Sequence, residues 1–315
     1  MSTAIDPGPV RRFSEALDRL NPSRERIGLA VSGGPDSLAM LLLAHEAIPG
    51  AFAVATVDHG LRPEAADECA LVQRACAERA IPCDVLRVRV GEGNLQQEAR
   101  SARYAALAEW ADRKGLAAVA TAHHADDQAE TLLMRLNRGS GVAGLAGVRQ
   151  AQRHEALGLT VIRPLLGFRR AELAAIVRDE QVAQDPSNAD PRYDRVRIRQ
   201  ALAGADWLDP EAIGRSAANL AEAYAALQDY AALLWPQAVQ ETNDGFAFTP
   251  VASREINRRL VALILERIGR KRPRGGDVAR LLERLESGEG GNVAGVLGQV
   301  RGGIWRFAPE PPRAG

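Results

Sequence analysis

The sequence predicts an α/β protein: a parallel sheet with helices on both faces, Rossmann-like in layout, followed by a smaller, mainly helical domain. Two observations lead there. Up to about residue 137, short β-rich runs alternate with helical stretches, the order of a parallel sheet covered by helices. From about residue 200 the composition turns Ala- and Leu-rich with helical spacing. At 315 residues the chain is long enough for two domains, and the change of rhythm puts their boundary near residues 200–208, giving domains 1–203 and 204–315.

The alternation runs as follows. β-rich runs at Ile27–Val31, Phe52–Val57, Cys83–Val90 and Ala117–Thr121 are separated by helical stretches at Ser37–Ile48, Pro63–Ala80 and Asn94–Lys114. Ala65, Cys69, Val72, Cys76 and Ala80 share one helical face, as do Leu95, Ala99, Ala102, Ala106 and Trp110, so both stripes are expected to face the core. After Arg138 a Gly-rich stretch, RGSGVAGLAG, leads into an expected hairpin, Gly147–Gln152 with Leu159–Arg163. A helix over Arg169–Glu180 and a polar loop, QDPSNADPRY, follow. Asp209–Glu241 reads as one long helix or two, and Arg254–Ile268 and Gly276–Glu286 as two more. Short β-like runs near Val293–Leu297 and Ile304–Phe307 close the chain.

Composition narrows the class. Apolar residues at 46% and charged residues at 25% are ordinary for a globular protein and argue against disorder; aromatics at 4% leave the core to Ala, Leu and Val. The 40 basic side chains balance 40 acidic ones, so no overall basic character announces a nucleic acid or membrane surface. Residues 253–284 are the exception, with 10 basic groups against 4 acidic, a local net of +6. The chain has no apolar run of about 18 residues, no apolar signal-peptide core and no disulfide framework, and is expected to be cytoplasmic without a membrane partner. Cys69, Cys76 and Cys83 are spaced by seven, yet two lie on a core stripe and no CxxC occurs, so they read as small buried residues.

Ligands of such folds sit at the carboxyl ends of the strands. There the strongest signal is Ser32-Gly33-Gly34-Pro35-Asp36-Ser37, directly between the strand IGLAV and the helix LAMLLLAHEAI. A Gly-rich turn at a helix start aims backbone N–H groups and the positive end of the helix dipole at a phosphate. It lacks the Gly-Lys-Ser/Thr ending of a Walker A loop. The second signal is AHHADDQAET, Ala122 to Thr131, which sets Asp126, Asp127 and Glu130 on the first turn of a helix beside His123 and His124. Three carboxyl groups there suit magnesium; plain helix capping accounts for one or two of them. Arg100 and Arg103 lie a turn apart in NLQQEARSARY, placed either to reach phosphate oxygens together or as a solvated basic flank. The literal GxGxxG of Arg138 to Gly144 follows a helix, not a strand, and so fails as a dinucleotide fingerprint. A loop near the nucleotide and a helix-ending Gly turn both fit it. Arg192, Arg195, Arg197 and Arg199 make a cationic edge suited to RNA backbone or simply to water.

SGGPDS resembles the PP-loop of the N-type ATP pyrophosphatases, which cleave ATP to AMP and pyrophosphate while adenylating a carbonyl oxygen. Taken in order, SGGPDS, VDHGLRPEA, EARSARY, AHHADDQAETLLMRLNRGSGVAGLAG, IRPLL and DPSNADPRYDRVRIR resemble the tRNA(Ile)-lysidine synthetase family within that group, over about residues 27–199. The resemblance implies a PP-loop domain that uses ATP and Mg2+ to attach L-lysine to C2 of the wobble cytidine in the CAU anticodon of a minor isoleucine tRNA. It implies that Ser32, Gly33, Gly34, Pro35, Asp36 and Ser37 hold the ATP phosphates, with Val57, His59, His123, Arg138 and Gly139 against the nucleotide. Asp36, Asp127 and Glu130 would serve the metal, and Asp36, Asp126, Asp127, Arg100 and Arg103 the catalysis. The tRNA is expected on Arg195, Arg197 and Arg199 and on the basic helices through Arg258, Arg270 and Arg274; a homodimer is left open. Thiolation by a related PP-loop enzyme predicts paired cysteines, which this chain lacks. A nucleotide-binding RNA module without catalysis leaves the acidic set unused.

Overall fold

The first element is a helix outside the strand–helix alternation. The computed structural model describes residues 5–60, 64–89, 91, 95–183, 192, 194–251, 253–270 and 273–311, and the polar loop Gln184–Pro191 with Tyr193 lies outside them. Helix α1 (Pro7–Leu20) starts where Asp6 accepts a hydrogen bond from the Gly8 N–H and Pro7 presets the first turn, and it buries Phe13 and Leu17. Then come β1 (Ile27–Ala30), α2 (Pro35–Ala47), β2 (Phe52–Asp58), α3 (Glu64–Ala77), β3 (Cys83–Arg87), α4 (Leu95–Lys114), β4 (Val119–Ala120) and α5 (Ala125–Asn137). A short α6 (Val142–Leu145), the hairpin β5 (Ala151–His154) and β6 (Leu159–Ile162), α7 (Arg170–Ile176) and α8 (Asp194–Ala203) follow.

The sheet order is β3-β2-β1-β4-β6-β5, parallel except for the antiparallel edge strand β5. Alternation along the strands feeds two cores. Ile27, Leu29, Phe52, Val54, Ala120 and Ile162 pack with α1, α2, α3 and α7, while Ala53, Ala55, Val119 and Val161 pack with α4. Gly28 is required on the α4 side, because a Cβ there would lie 2.4 Å from the Trp110 ring. Helix α2 is apolar all round because it is buried all round, from Ser37 to Ala44. Among the described side chains of α4 the buried ones are Tyr104, Leu107, Trp110 and Ala111; of the expected stripe Trp110 is buried and Ala106 packs half-buried against the same core. On α3 the stripe holds through Cys76, but Ala80 lies beyond the helix in a left-handed turn.

The chain forms two compact units, Met1–Ala221 and Glu222–Gly315, which divide within the long helix α9 (Pro210–Ala238). The second unit contains, besides α10 (Arg254–Gly269) and α11 (Gly275–Glu286), a five-stranded antiparallel sheet in the order β7-β8-β11-β10-β9. These strands are β7 (Val239–Thr242), β8 (Gly245–Phe248), β9 (Gly291–Val293), β10 (Val296–Arg301) and β11 (Ile304–Pro309). Phe248, Val296, Trp305 and Phe307 face inward onto Ile256, Leu260, Ile264, Leu281 and Leu285. No helix among the described residues is long and apolar enough to cross a membrane.

Candidate active site

Strand order fixes where to look. β1 pairs with β2 on one side and β4 on the other, so the chain reverses its winding direction between β1 and β4. The loops leaving those two strands face one crevice, the usual ligand position of such sheets. A cleft of about 620 Å³ opens there, lined in part by Ser32, Gly34, Pro35, Asp36, Ser37, Val57 and His59. A larger cleft of about 1110 Å³ at the far end of α2 is lined by charges that already pair with each other, Arg12 with Glu172 and Arg79 with Glu180.

The turn after β1 is closed by hydroxyls. Ser37 Oγ accepts from the Ser32 N–H at 3.1 Å and donates to the Gly34 carbonyl at 2.9 Å. No side chain caps α2, so its first-turn N–H groups point at the cleft unblocked. Gly33 adopts φ +86° and turns its carbonyl to the Ala183 N–H at 2.8 Å. It therefore shapes the loop from behind.

The second loop builds a charge network around His124, which is 1% exposed. Its ring nitrogens lie 3.4 Å from Asp36, 3.6 Å from Asp126 and 3.5 Å from Asp127. Burial alone would lower the His124 pKa; the carboxylates of Asp126, Asp36 and Asp127 outweigh it and raise it to about 9. His124 is thus an imidazolium shared by these acids. His123 is the opposite: burial, then Arg163, Arg103, Arg195 and Arg100, push it down to about 3, so it is neutral.

Arginines complete the network. Glu130 is 1% exposed, and its two oxygens take Arg195 Nε at 2.7 Å, Arg199 Nε at 2.7 Å and Arg170 Nη2 at 3.2 Å. Burial pushes the Glu130 pKa up, but Arg199 and Arg195 more than offset that and hold it ionised. Asp127 accepts from Arg195 at 2.7 Å and from the His124 N–H at 3.1 Å. Asp126 accepts from the Arg170 N–H at 2.8 Å and from the Arg169 guanidinium.

These contacts show where each expected site residue lies. Glu130 is ringed by three arginines, whose N–H groups it accepts. Asp126 faces the start of α7 and ties α5 to it. Arg195 and Arg199, one turn apart on α8, reach Glu130 and line the cleft. Arg197, on the opposite face, pairs with Asp194, which also holds Arg138 at 2.7 Å. Arg138 and Gly139 do not line the cleft. Gly139 ends α5 at φ +63°, and Arg135 and Gln128 hold the following loop by bonds to Gly144, Gly147 and Val148, so the glycines do the work of a helix-ending turn. Arg103 reaches the cleft and Arg100 does not; Arg100 contacts the Tyr104 hydroxyl at 3.3 Å. In the second unit Arg258 is held by Glu255 at 2.8 Å, while Arg270 and Arg274 are exposed.

The residue sequence reasoning missed is Arg170, which lines the cleft and touches Glu130. Its signal was available: Arg169 and Arg170 put cations at a helix start, against the dipole, and such a violation needs a compensating carboxylate. Among the described residues no three His, Cys, Asp or Glu side chains converge as a metal cage. The cleft brings the Gly-rich turn before α2 together with Arg103, Arg170, Arg195 and Arg199, with Asp36 beside the buried His124 ring.

A family model described as a PP-loop domain matches residues 9–205. The chain is 48% identical over 310 residues to a tRNA(Ile)-lysidine synthase of Novosphingobium aromaticivorans, covering 96% of this chain and 94% of that protein. It is 40% identical over 315 residues to a tRNA(Ile)-lysidine synthase of Zymomonas mobilis, covering 96% and 95%. Among solved structures, the U34-tRNA thiolase NcsA from Methanococcus maripaludis superposes with a TM-score of 0.54 at 17% identity over 71% of this chain and 81% of that one, a likeness of fold.

Proposed function

The chain belongs to the tRNA(Ile)-lysidine synthase family of PP-loop enzymes, and on that premise we propose how its cleft performs the ligation. The reaction is ATP-dependent ligation of L-lysine to C2 of the wobble cytidine in a CAU anticodon, giving lysidine, AMP and pyrophosphate. Cytosine C2 is a poor electrophile, so O2 first attacks the α-phosphorus and pyrophosphate leaves. The lysine ε-amine then attacks C2, and the C2–O2 bond breaks as AMP departs with that oxygen. The observation that carries this reading is the juxtaposition of an uncapped, Gly-rich helix start with four arginines lining the same cleft. The first holds phosphates, and the second offsets the charge that builds as pyrophosphate leaves.

Asp36 is the proposed base for the lysine amine, whose ordinary pKa of about 10.4 requires a proton acceptor before attack. Its Oδ1 is buried with no hydrogen-bond partner, whereas the Asp127 oxygens are taken by Arg195 and the His124 N–H. Asp36 would also hold magnesium while the ATP phosphates are bound, before its oxygen is needed as a base. Magnesium there would add charge neutralisation on the phosphates; Asp127 is the second candidate, and Glu130 is none.

The test is direct. Incubation with ATP, magnesium, labelled lysine and a CAU-anticodon isoleucine tRNA should label that RNA and leave a methionine tRNA unlabelled. Asp36→Asn should abolish labelling while tRNA binding is retained. Pyrophosphate release without lysine incorporation would make lysine the wrong nucleophile. Wild-type turnover in Asp36→Asn would remove Asp36 from the chemistry.

A further inference from the structure

Arg163 is 2% exposed, yet among the described residues no carboxylate pairs with it. Its Nη1 donates to the Arg149 carbonyl at 2.6 Å, its Nη2 sits 3.4 Å from Gln152 Oε1, and its buried Nε has no partner. It follows Leu159 and Val161 on the α4 side of β6, which turns it toward Tyr104. The Tyr104 ring is stacked on His154 at 4.9 Å and 28°, and the Cζ atoms of Arg100 and Arg103 stand 5.0 and 5.4 Å from its centroid. The buried His154 Nε2 is also unpartnered. Three guanidinium groups thus surround one phenol with no acid among the described residues to balance them, only a few residues from a network in which every arginine has a carboxylate.

A buried cation without a counter-ion costs stability and persists where an anion arrives later. ATP phosphates belong at the α2 start, and lysine brings a single carboxylate. RNA brings a phosphodiester at every nucleotide and bases that stack on arginine and aromatic planes. The position fits as well. Arg103 lines the cleft and also stands over Tyr104, so the two sites share a wall. His154 lies on β5, the edge strand of the sheet, with exposed Arg153 on it and exposed Arg149 just before it.

We propose that Arg163, Arg100 and Tyr104, backed by His154, form a phosphodiester-binding cup that seats the RNA backbone next to the nucleotide being adenylated. The inference rests on the proposed RNA substrate. The probe is a CAU anticodon stem-loop with single linkages around the wobble cytidine replaced by uncharged methylphosphonate, binding to the full chain at fixed salt. Removing one charge-assisted hydrogen bond should weaken binding about tenfold at one flanking linkage and little at the others. Arg163→Met should weaken the unmodified RNA by a similar factor and make that linkage indifferent. Its melting temperature without RNA should equal or exceed that of the wild type, because the variant removes an unbalanced buried charge of similar volume. Arg100→Gln, at an exposed position, gives the same linkage test without touching the core.

If Arg163→Met and Arg100→Gln keep the wild-type linkage profile, the cup does not hold the backbone. A lowered melting temperature with that profile would make Arg163 a pin for Arg149 and Gln152. Stabilisation of the wild type but not of Arg163→Met by inorganic phosphate, with RNA binding blind to every linkage, would make it a free-phosphate site and overturn the RNA assignment. An RNA that fails to bind while ATP binds would sink the proposed function itself, and the cup's ligand with it.

Discussion

Two sets of arginine–carboxylate pairs, one from each unit, differ in whether water reaches the carboxylate. In the first, Arg170, Arg195 and Arg199 converge on Glu130, which is withdrawn from water. In the second, Arg254 meets Glu286, Arg280 meets Asp277 and Arg284 meets Glu289 at the surface, each with side chains that water reaches. The buried Glu130 ties down three half-exposed guanidinium groups and so fixes where positive charge faces the cleft. The surface pairs contribute little energy, and the two acids just past the stretch, Glu286 and Glu289, offset only two of the six excess charges between residues 253 and 284. Charge counted along a sequence therefore says little about charge available to a partner; burial and partner decide that.

The sharpest way to break this contrast is to neutralise one carboxylate in each unit. Glu130→Gln removes the buried carboxylate on which three arginines converge, leaving Asp127 to hold Arg195, and should cost about 3–5 kcal/mol of stability, together with tRNA-dependent pyrophosphate release. Glu286→Gln should cost less than about 1 kcal/mol and leave activity intact. Thermal denaturation paired with a pyrophosphate assay reads both; similar losses in the two variants would end the distinction.

Next in size is His124. Its pKa is raised in the folded chain, from 6.5 to about 9, so its pairing with the three acids is fully present below pH 6.5 and is lost as pH rises through 9. The stability difference between wild type and His124→Gln should reach up to about 3 kcal/mol at the acid end and vanish above pH 9. A difference that grows with pH would show that His124 is neutral.

Smaller effects are expected from the exposed arginines of the second unit. Arg270→Glu and Arg274→Glu should weaken tRNA binding and lower its salt slope by about 1 for each phosphate left without its arginine. Arg258→Glu should do less, because Glu255 already holds that side chain. Smallest of all is the Arg254–Glu286 coupling, expected below about 1 kcal/mol in a double-mutant cycle.

Much of this was legible in the sequence where local rules and the fold agree. The strand–turn–helix around Ser32–Ser37, the parallel alternation and the second strand of the hairpin stand where periodicity and turn chemistry put them, while the hairpin's first strand, Ala151–His154, lies about four residues later than expected. Helix α1 was missed because its apolar face is thin, although Asp6-Pro7 is a helix-start signal. The β7–β8 hairpin was missed because helical spacing ran on past Ala238, while the Asp244-Gly245 step marked the turn. Among the candidate site residues, Asp36 followed from the resemblance of SGGPDS to a PP-loop, and the first-turn acids of α5 were evident from spacing. Their division of labour was not, because it depends on Arg169, Arg170, Arg195 and Arg199 arriving from 40 to 70 residues downstream. A run such as RVRIR gives no sign of which arginines turn inward until a buried glutamate is there to receive them.

The central claim is that the buried arginine–glutamate set is built for the adenylation step. Rapid-quench measurement of pyrophosphate after mixing the protein with ATP, magnesium and the CAU-anticodon tRNA, with lysine left out, tests it most directly. A stoichiometric burst in the wild type and in Glu286→Gln, absent from folded Glu130→Gln, is the result expected. Pyrophosphate that appears only once lysine is added, or a burst that survives in Glu130→Gln, would contradict it.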